Sequence, residues 1–276
     1  MNTMAEVLAF PDYDTIKKKQ NAAWGAGNYS LIGSTLQLTG EELAERMDLR
    51  PGSAVLDIAA GNGNASLAFA RRFCNVTSTD YVDTHLISGQ ERALAEGLDI
   101  HYMLADAENL MVEYGTYDAV VSTFGAMFAP NQEKAASEMI RACKRGGKIG
   151  MANWTPDSFF GQLFNIINQF VIPPQSVKSP ALWGTGKWIG KNFGRSAKEI
   201  VTVEKQFFFR YPTPHFFIDF FRKNYGPVHK AFLILNPDGQ DKLEKEILAL
   251  INKFNIAKDG TMKVPSEYLE VVITKE

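Results

Sequence analysis

The stretch that most constrains this chain is Val55-Leu56-Asp57-Ile58-Ala59-Ala60-Gly61-Asn62-Gly63-Asn64-Ala65-Ser66-Leu67. Three apolar residues in four positions run into an acidic-then-glycine turn, and beyond it Leu67-Ala68-Phe69-Ala70 begins a helix. An apolar run, a tight turn and a change of period make the first unit of an α/β sheet. Gly61 and Gly63 let the backbone bend and approach a ligand, because no Cβ stands in the way. The new helix offers its unpaired N–H groups at the same place.

The alternation continues downstream. Asn75 to Thr79 reads as a second strand ending at Asp80, 23 residues beyond Asp57. His85 to Glu96 reads as a helix closed by Gly97, and Asp99 to Leu104 as a third strand running into Ala105-Asp106-Ala107-Glu108. Tyr117 to Phe124 gives a fourth strand and Glu133 to Cys143 a helix. Lys144-Arg145-Gly146-Gly147-Lys148 is the turn before a fifth strand, Ile149 to Trp154. Strands separated by helices imply βαβ units.

Two cofactor classes use such a glycine turn. A dinucleotide site asks for G-x-G-x-x-G/A, whereas this chain has Ser66 in the third position. Asp57 would also lie beside a pyrophosphate of like charge; a carboxylate there suits a ligand carrying an ammonium or sulfonium group. Asp80 is placed to accept hydrogen bonds from both ribose hydroxyls of an adenosine, a geometry that NAD-binding and S-adenosylmethionine-binding folds share.

Asp57, Gly61 and Gly63, with Ala59 replacing the first glycine, resemble motif I of class I S-adenosylmethionine-dependent methyltransferases. Asp106-Ala107 resembles the acid-Ala pair that meets adenine in that family, and the basic-Gly-Gly turn also recurs there. The segments Trp24 to Tyr29, Ser122 to Pro130, Ala152 to Pro156 and Val264 to Val272 look like a branch related to the ubiquinone/menaquinone-biosynthesis type. The resemblance implies an α/β, Rossmann-like, seven-stranded, mostly parallel sheet with an antiparallel last strand, helices on both faces and a helical, aromatic cap. It implies S-adenosyl-L-methionine as cofactor and S-adenosyl-L-homocysteine as product. The cofactor-binding residues it points to are Trp24, Tyr29, Asp57, Ala59, Gly61, Gly63, Asp80, Tyr81, Asp106, Ala107, Ser122, Thr123 and Phe128. Of these, Trp24, Tyr29 and Phe128 offer aromatic faces to a sulfonium charge, and backbone carbonyls near Ser122 and Thr123 could hold the ammonium group.

One domain with a cap follows: a helical lid over 1–50, a cofactor-binding core over 51–156, a substrate cap over 157–198 and completion of the sheet over 199–276. In the lid, Tyr13 to Trp24 reads as a helix with Lys17, Lys18, Lys19 and Gln20 on a solvated face. Trp24-Gly25-Ala26-Gly27-Asn28-Tyr29 is a loop free to fold over something, or a simple connector between helices. Thr39 and Glu42 look like a capping box for a helix to Met47.

Of the 19 Phe, many fall between 159 and 232. The interrupted apolar run from 157 to 198, with Phe159, Phe160, Phe164, Trp183 and Trp188, suits a lid over a hydrophobic small molecule or completion of the core. Ile200 to Tyr211 reads as strand six. Thr213 to Asn224 reads as a helix with a Phe stripe, and Tyr225-Gly226-Pro227 breaks it. Asp241 to Phe254 is an amphipathic helix and Tyr268 to Thr274 a final strand, which would form an antiparallel edge with strand six.

If the acceptor is a hydroxyl, a general base helps, and histidine is the usual choice. His215 and His229 lie in the aromatic third and are the candidates; His85 begins a helix near Asp80, and His101 lies in strand three. The net charge of -2 argues against a general nucleic-acid binder, and the resemblance implies a small-molecule partner, with a protein acceptor left open. No stretch reaches 18 apolar residues, no metal-ligand spacing occurs, and the first residues carry no secretory pattern. A cytoplasmic monomer or homodimer is the expectation. An NAD-dependent oxidoreductase and a non-catalytic S-adenosylmethionine-binding protein are the alternatives.

Overall fold

The computed structural model describes residues 11–174 and 177–276. The reading of the first residues as free of a secretory pattern therefore falls largely outside the described residues. The chain runs α1 (Tyr13–Trp24), α2 (Tyr29–Gly33), α3 (Gln37–Met47), β1 (Ala54–Ile58), α4 (Asn64–Arg71), β2 (Asn75–Asp80), α5 (Asp83–Ala95), β3 (Ile100–Leu104) and β4 (Tyr117–Thr123). It continues with α6 (Gln132–Ala142), β5 (Cys143–Trp154), α7 (Phe159–Phe170), α8 (Gly186–Phe193), β6 (Ala197–Tyr211), α9 (Pro214–Asn224), α10 (Gly226–Ile234), α11 (Pro237–Phe254) and β7 (Met262–Lys275).

The seven strands form one sheet in the order β3-β2-β1-β4-β5-β7-β6. β1 to β5 are parallel, and β7 runs antiparallel to both of its neighbours. Strand six therefore points the same way as β5, and only β7 is reversed. β7 is longer than its apolar end suggested. Its first half, up to Glu267, pairs with β6 alone, whereas Tyr268 onward is held between β5 and β6. Pro265 sits in the singly paired half, where a missing N–H costs no second ladder.

The parallel strands are buried on both faces, which is why they read as unbroken apolar runs. Val55, Ala119 and Val121 pack with Leu43, Met47, Leu67 and Phe69 of α3 and α4. Their neighbours Leu56, Ile58 and Val120 face the other way, into a larger core that takes in the aromatic third. Trp154 lies between Phe124 and Phe160, with ring centroids 4.0 and 4.8 Å away and planes nearly parallel. Both cysteines are free and buried.

Three local expectations need correction. Thr39 does not cap α3; the helix begins at Gln37, straight out of a 3₁₀ turn, and the Thr39 hydroxyl donates to the Leu36 carbonyl at 2.7 Å. Gly226-Pro227 ends one helix but also opens α10, because proline's fixed φ suits a first helical turn. Lys17 is not on a solvated face, as the site shows. No described helix is long and apolar enough to cross a membrane.

Candidate functional site

The strand order reverses between β1 and β4, and a crevice opens there beyond the carboxyl ends of the strands. It holds a cleft of about 810 Å³. Its floor is the turn after β1, where Ala59, Gly61 and Gly63 have φ of +50°, +58° and +84°. Glycine adopts such angles freely, while Ala59 is strained there by roughly 1–2 kcal/mol. The turn is tied to the next strand: the Ala60 N–H donates to the Thr79 carbonyl and the Gly61 N–H to Asp80 Oδ2, both at 2.9 Å. A Cβ on Gly61 would stand 2.8 Å from Cε1 of Tyr29, so the glycine lets this ring close over the turn.

Asp80 ends β2 with its carboxylate organised by backbone. Oδ2 accepts from Gly61 and Oδ1 accepts from the Val82 N–H at 2.9 Å. Each oxygen keeps a further lone pair, and the residue lines the cleft. Asp106 follows β3, the neighbouring strand, and lines the same cleft; the Ala105 N–H before it donates to the Asp80 carbonyl at 3.0 Å. Its Oδ1 accepts from the Glu108 N–H, and its Oδ2 accepts from Lys17 Nζ at 2.7 Å. Lys17 also lies 3.3 Å from the buried carboxylate of Glu108. Burial works against the Lys17 charge, but Asp106 and Glu108 outweigh it and hold the ammonium above its ordinary pKa.

α1 is the roof. Lys17, Gln20, Asn21 and Trp24 recur at the three-and-four spacing of one helix face. Asn21 donates to the Tyr81 carbonyl at 2.5 Å and Gln20 to the Phe128 carbonyl at 3.4 Å. Trp24 packs edge-on against Tyr29, Phe128 and Tyr225, with centroids 5.7, 5.1 and 5.3 Å away. This end of the cleft, completed by Leu36 and Phe124, is apolar and aromatic.

Most of the sequence-derived candidates meet in this cleft. Ala59, Gly61, Asp80 and Tyr81 line it, as do Asp106, Ala107 and Thr123, and so do the rings of Trp24, Tyr29 and Phe128. Three candidates do not. Asp57 is 1% exposed, and its Oδ2 accepts from the Ser66 N–H at 2.9 Å and the Ser66 hydroxyl at 2.6 Å. It brackets the start of α4 from below instead of facing a ligand's cation, and burial pushes its carboxyl up to about 7. Gly63 is the left-handed N-cap of α4. The Ser122 hydroxyl is spent on structure, donating to the Ile58 carbonyl and accepting from the Ala126 N–H.

The two candidate bases also lie elsewhere. His215 is exposed on α9. His229 on α10 has Nδ1 2.8 Å from the Arg222 carbonyl, in a separate hollow with Asp219 and Gln240. No described residue of 157–198 lines the cleft; Phe159, Phe160, Trp183 and Trp188 are core. The aromatic run is buried because its rings complete the face beside β5 to β7, and α1 covers the cleft instead.

Sequence reasoning missed Lys17, Gln20 and His85 as cleft residues, and Asn21 as the tie between α1 and Tyr81. The spacing from Lys17 to Trp24 was the available signal for the three α1 residues. Among the described residues no cluster of three or more His, Cys, Asp or Glu is placed to hold a metal.

The family described as "Methyltransferase domain" matches residues 55–147, the span from β1 into the first residues of β5. An uncharacterised protein of Mycobacterium tuberculosis is 34% identical over 250 residues, covering 87% of this chain and 89% of the relative. The ubiquinone/menaquinone biosynthesis C-methyltransferase of Hydrogenovibrio crunogenus is 31% identical over 134 residues, 45% of this chain and 53% of the relative. The solved structure of Haemonchus contortus phosphoethanolamine N-methyltransferase 2 with S-adenosyl-L-methionine superposes with a TM-score of 0.53 at 18% identity. That likeness covers 87% of this chain and 53% of that one, and it concerns the fold.

Proposed function

The chain belongs to the class I S-adenosylmethionine-dependent methyltransferases, and we propose that it methylates a small acceptor with a hydrophobic or aromatic body. Its cofactor is S-adenosyl-L-methionine. That molecule supplies a sulfonium methyl already activated for in-line displacement, with S-adenosyl-L-homocysteine as the product.

The observation that carries the reading is the convergence of two carboxylates with different neighbours on one cleft. Asp80, fixed by the Gly61 and Val82 amides, would accept from the ribose hydroxyls. Asp106, after the neighbouring strand on the same wall, would accept from the adenine amine beside the Ala107 backbone. The backbone of Ala59, Ala60 and Gly61 lines the cleft beneath Tyr29 and suits close approach of the sugar and the methionyl chain. Asp57 supports the fit indirectly by fixing the helix that follows the turn.

The aromatic end formed by Trp24, Tyr29, Leu36, Phe124 and Phe128 would hold the acceptor. Ring faces there attract a positive sulfur, and exclusion of water strengthens that attraction. Catalysis then rests on positioning, since the methyl needs no further activation. Neither His215 nor His229 reaches the cleft, so we do not retain them as bases; an acceptor that loses a proton would deliver it to water or to a group it carries itself. We propose residues 51–156 as the cofactor-binding core and α1 as the lid. A cytoplasmic monomer or homodimer acting without nucleic acid accords with the near-neutral charge balance.

The test is transfer of labelled methyl from S-adenosylmethionine to a panel of phenols, enols and amines, each with an apolar body, using Asp80→Ala as control. Labelling of members of this panel by the wild type alone supports the reading. Cofactor binding with label passing only to strongly polar acceptors would overturn the acceptor class.

A further inference from the structure

His85 stands in the first turn of α5, five residues beyond Asp80, and is 6% exposed. It lines the cleft, yet neither Nδ1 nor Nε2 has a hydrogen-bond partner among the described residues. Nδ1 lies 3.6 Å from Asp80 Oδ2, beyond hydrogen-bonding distance, so the two groups stand side by side without satisfying each other. The Tyr29 ring covers the imidazole, its centroid 5.0 Å away and tilted by 40°. A buried ring with two unsatisfied nitrogens is costly unless a ligand meets it.

The chemistry beside it says what that ligand offers. A carboxylate can only accept hydrogen bonds. If Asp80 takes the hydroxyl protons of a vicinal diol, the diol oxygens keep lone pairs that need a donor. An imidazole carries at least one N–H in each of its protonation states. We propose that His85 is a cofactor-binding residue that donates a hydrogen bond to a ribose hydroxyl oxygen of the nucleoside whose hydroxyl protons Asp80 accepts. The diol is then read from both sides, by an acceptor on β2 and a donor on α5, with Tyr29 sealing the pair from water. This rests on the cofactor reading above and adds to it a residue and a polarity.

The experiment is calorimetric titration of the full chain with S-adenosylhomocysteine and with its 2′,3′-dideoxyribose analogue. The variants are His85→Ala and His85→Gln, and the melting temperature of each confirms folding. The wild type should prefer the diol ligand strongly. His85→Ala should weaken S-adenosylhomocysteine about tenfold and leave the dideoxy analogue within about twofold, so that the preference itself shrinks about tenfold. His85→Gln, which keeps an N–H donor, should recover part of the loss. Equal weakening of both ligands, or no change in either, overturns the role of His85 while leaving the cofactor assignment intact. Failure of the wild type to bind S-adenosylhomocysteine would overturn the cofactor placement, and this inference with it.

Discussion

Two helices flank the same cleft and are held by opposite means. In α4 every residue from Asn64 to Ala70 is buried, and Leu67 and Phe69 have no exposed surface. In α1 none of the 12 residues is buried. The first is fixed by apolar packing and by the Asp57–Ser66 bracket. The second rests on Lys17 between Asp106 and Glu108, two side-chain hydrogen bonds to backbone and the edge of Trp24. Lys17 and Asp106 are 19% and 30% exposed, so their pair is worth on the order of 1 kcal/mol. A helix with little buried apolar area opens locally at small cost, and one buried throughout opens only with the whole domain. The wall that positions the glycine turn is thus part of the core, and we propose on this contrast that the roof lifts to admit and release molecules.

The largest test of this contrast removes Phe69 from α4. Phe69→Ala should destabilise the protein by about 3–5 kcal/mol in urea unfolding, through lost burial and a cavity. A loss under about 1 kcal/mol would mean that α4 is not anchored by the core.

Next in size is the pH dependence carried by Asp57. Burial raises its folded pKa to about 7, above the unfolded value, so its contribution to stability is present at about pH 4 and below and fades as pH rises through about 7. Asp57→Asn should remove that decline, worth a few kcal/mol in order of magnitude. Urea midpoints of both proteins between pH 4 and 8 would show parallel curves if the carboxyl titrates normally.

Asp80→Ala should weaken S-adenosylhomocysteine by roughly 10- to 100-fold, the loss of hydrogen bonds to a charged acceptor of about 1.5–3 kcal/mol. Calorimetry checks it, and affinity within twofold of wild type would place the ribose elsewhere. The smallest expected effect on folding lies in the roof. Trp24→Ala should cost less than about 1 kcal/mol of stability, because its partners stay packed without it, while raising the dissociation constant several-fold. A large drop in melting temperature would make α1 part of the core after all.

The same contrast explains what the sequence made legible. The βαβ half could be read because strand ends, glycines and acids in a parallel sheet are set by local period and turn chemistry, as at Ile58 to Gly63 and at Asp80. Asp57 could be located but not assigned, since whether a carboxylate faces a ligand or a helix start depends on the Ser66 hydroxyl three-dimensionally beside it. The roof was harder. Lys17 looks solvent-facing among Lys18 and Lys19, and only the distant Asp106 turns it inward. The aromatic third misled for a related reason: rings suit a lid or a core equally, and pairing of β6 with β7 decides that they are core. His85 gave no pattern at all, because its meaning lies in what it fails to contact.

Hydrogen–deuterium exchange with and without S-adenosylhomocysteine reads roof and wall in one experiment. The account predicts fast exchange across Tyr13–Trp24 in the free protein, strong slowing there with ligand, and little change in an already protected Asn64–Arg71. Unchanged exchange in α1 at saturating ligand, or protection confined to a surface remote from Gly61 and Asp80, would contradict it.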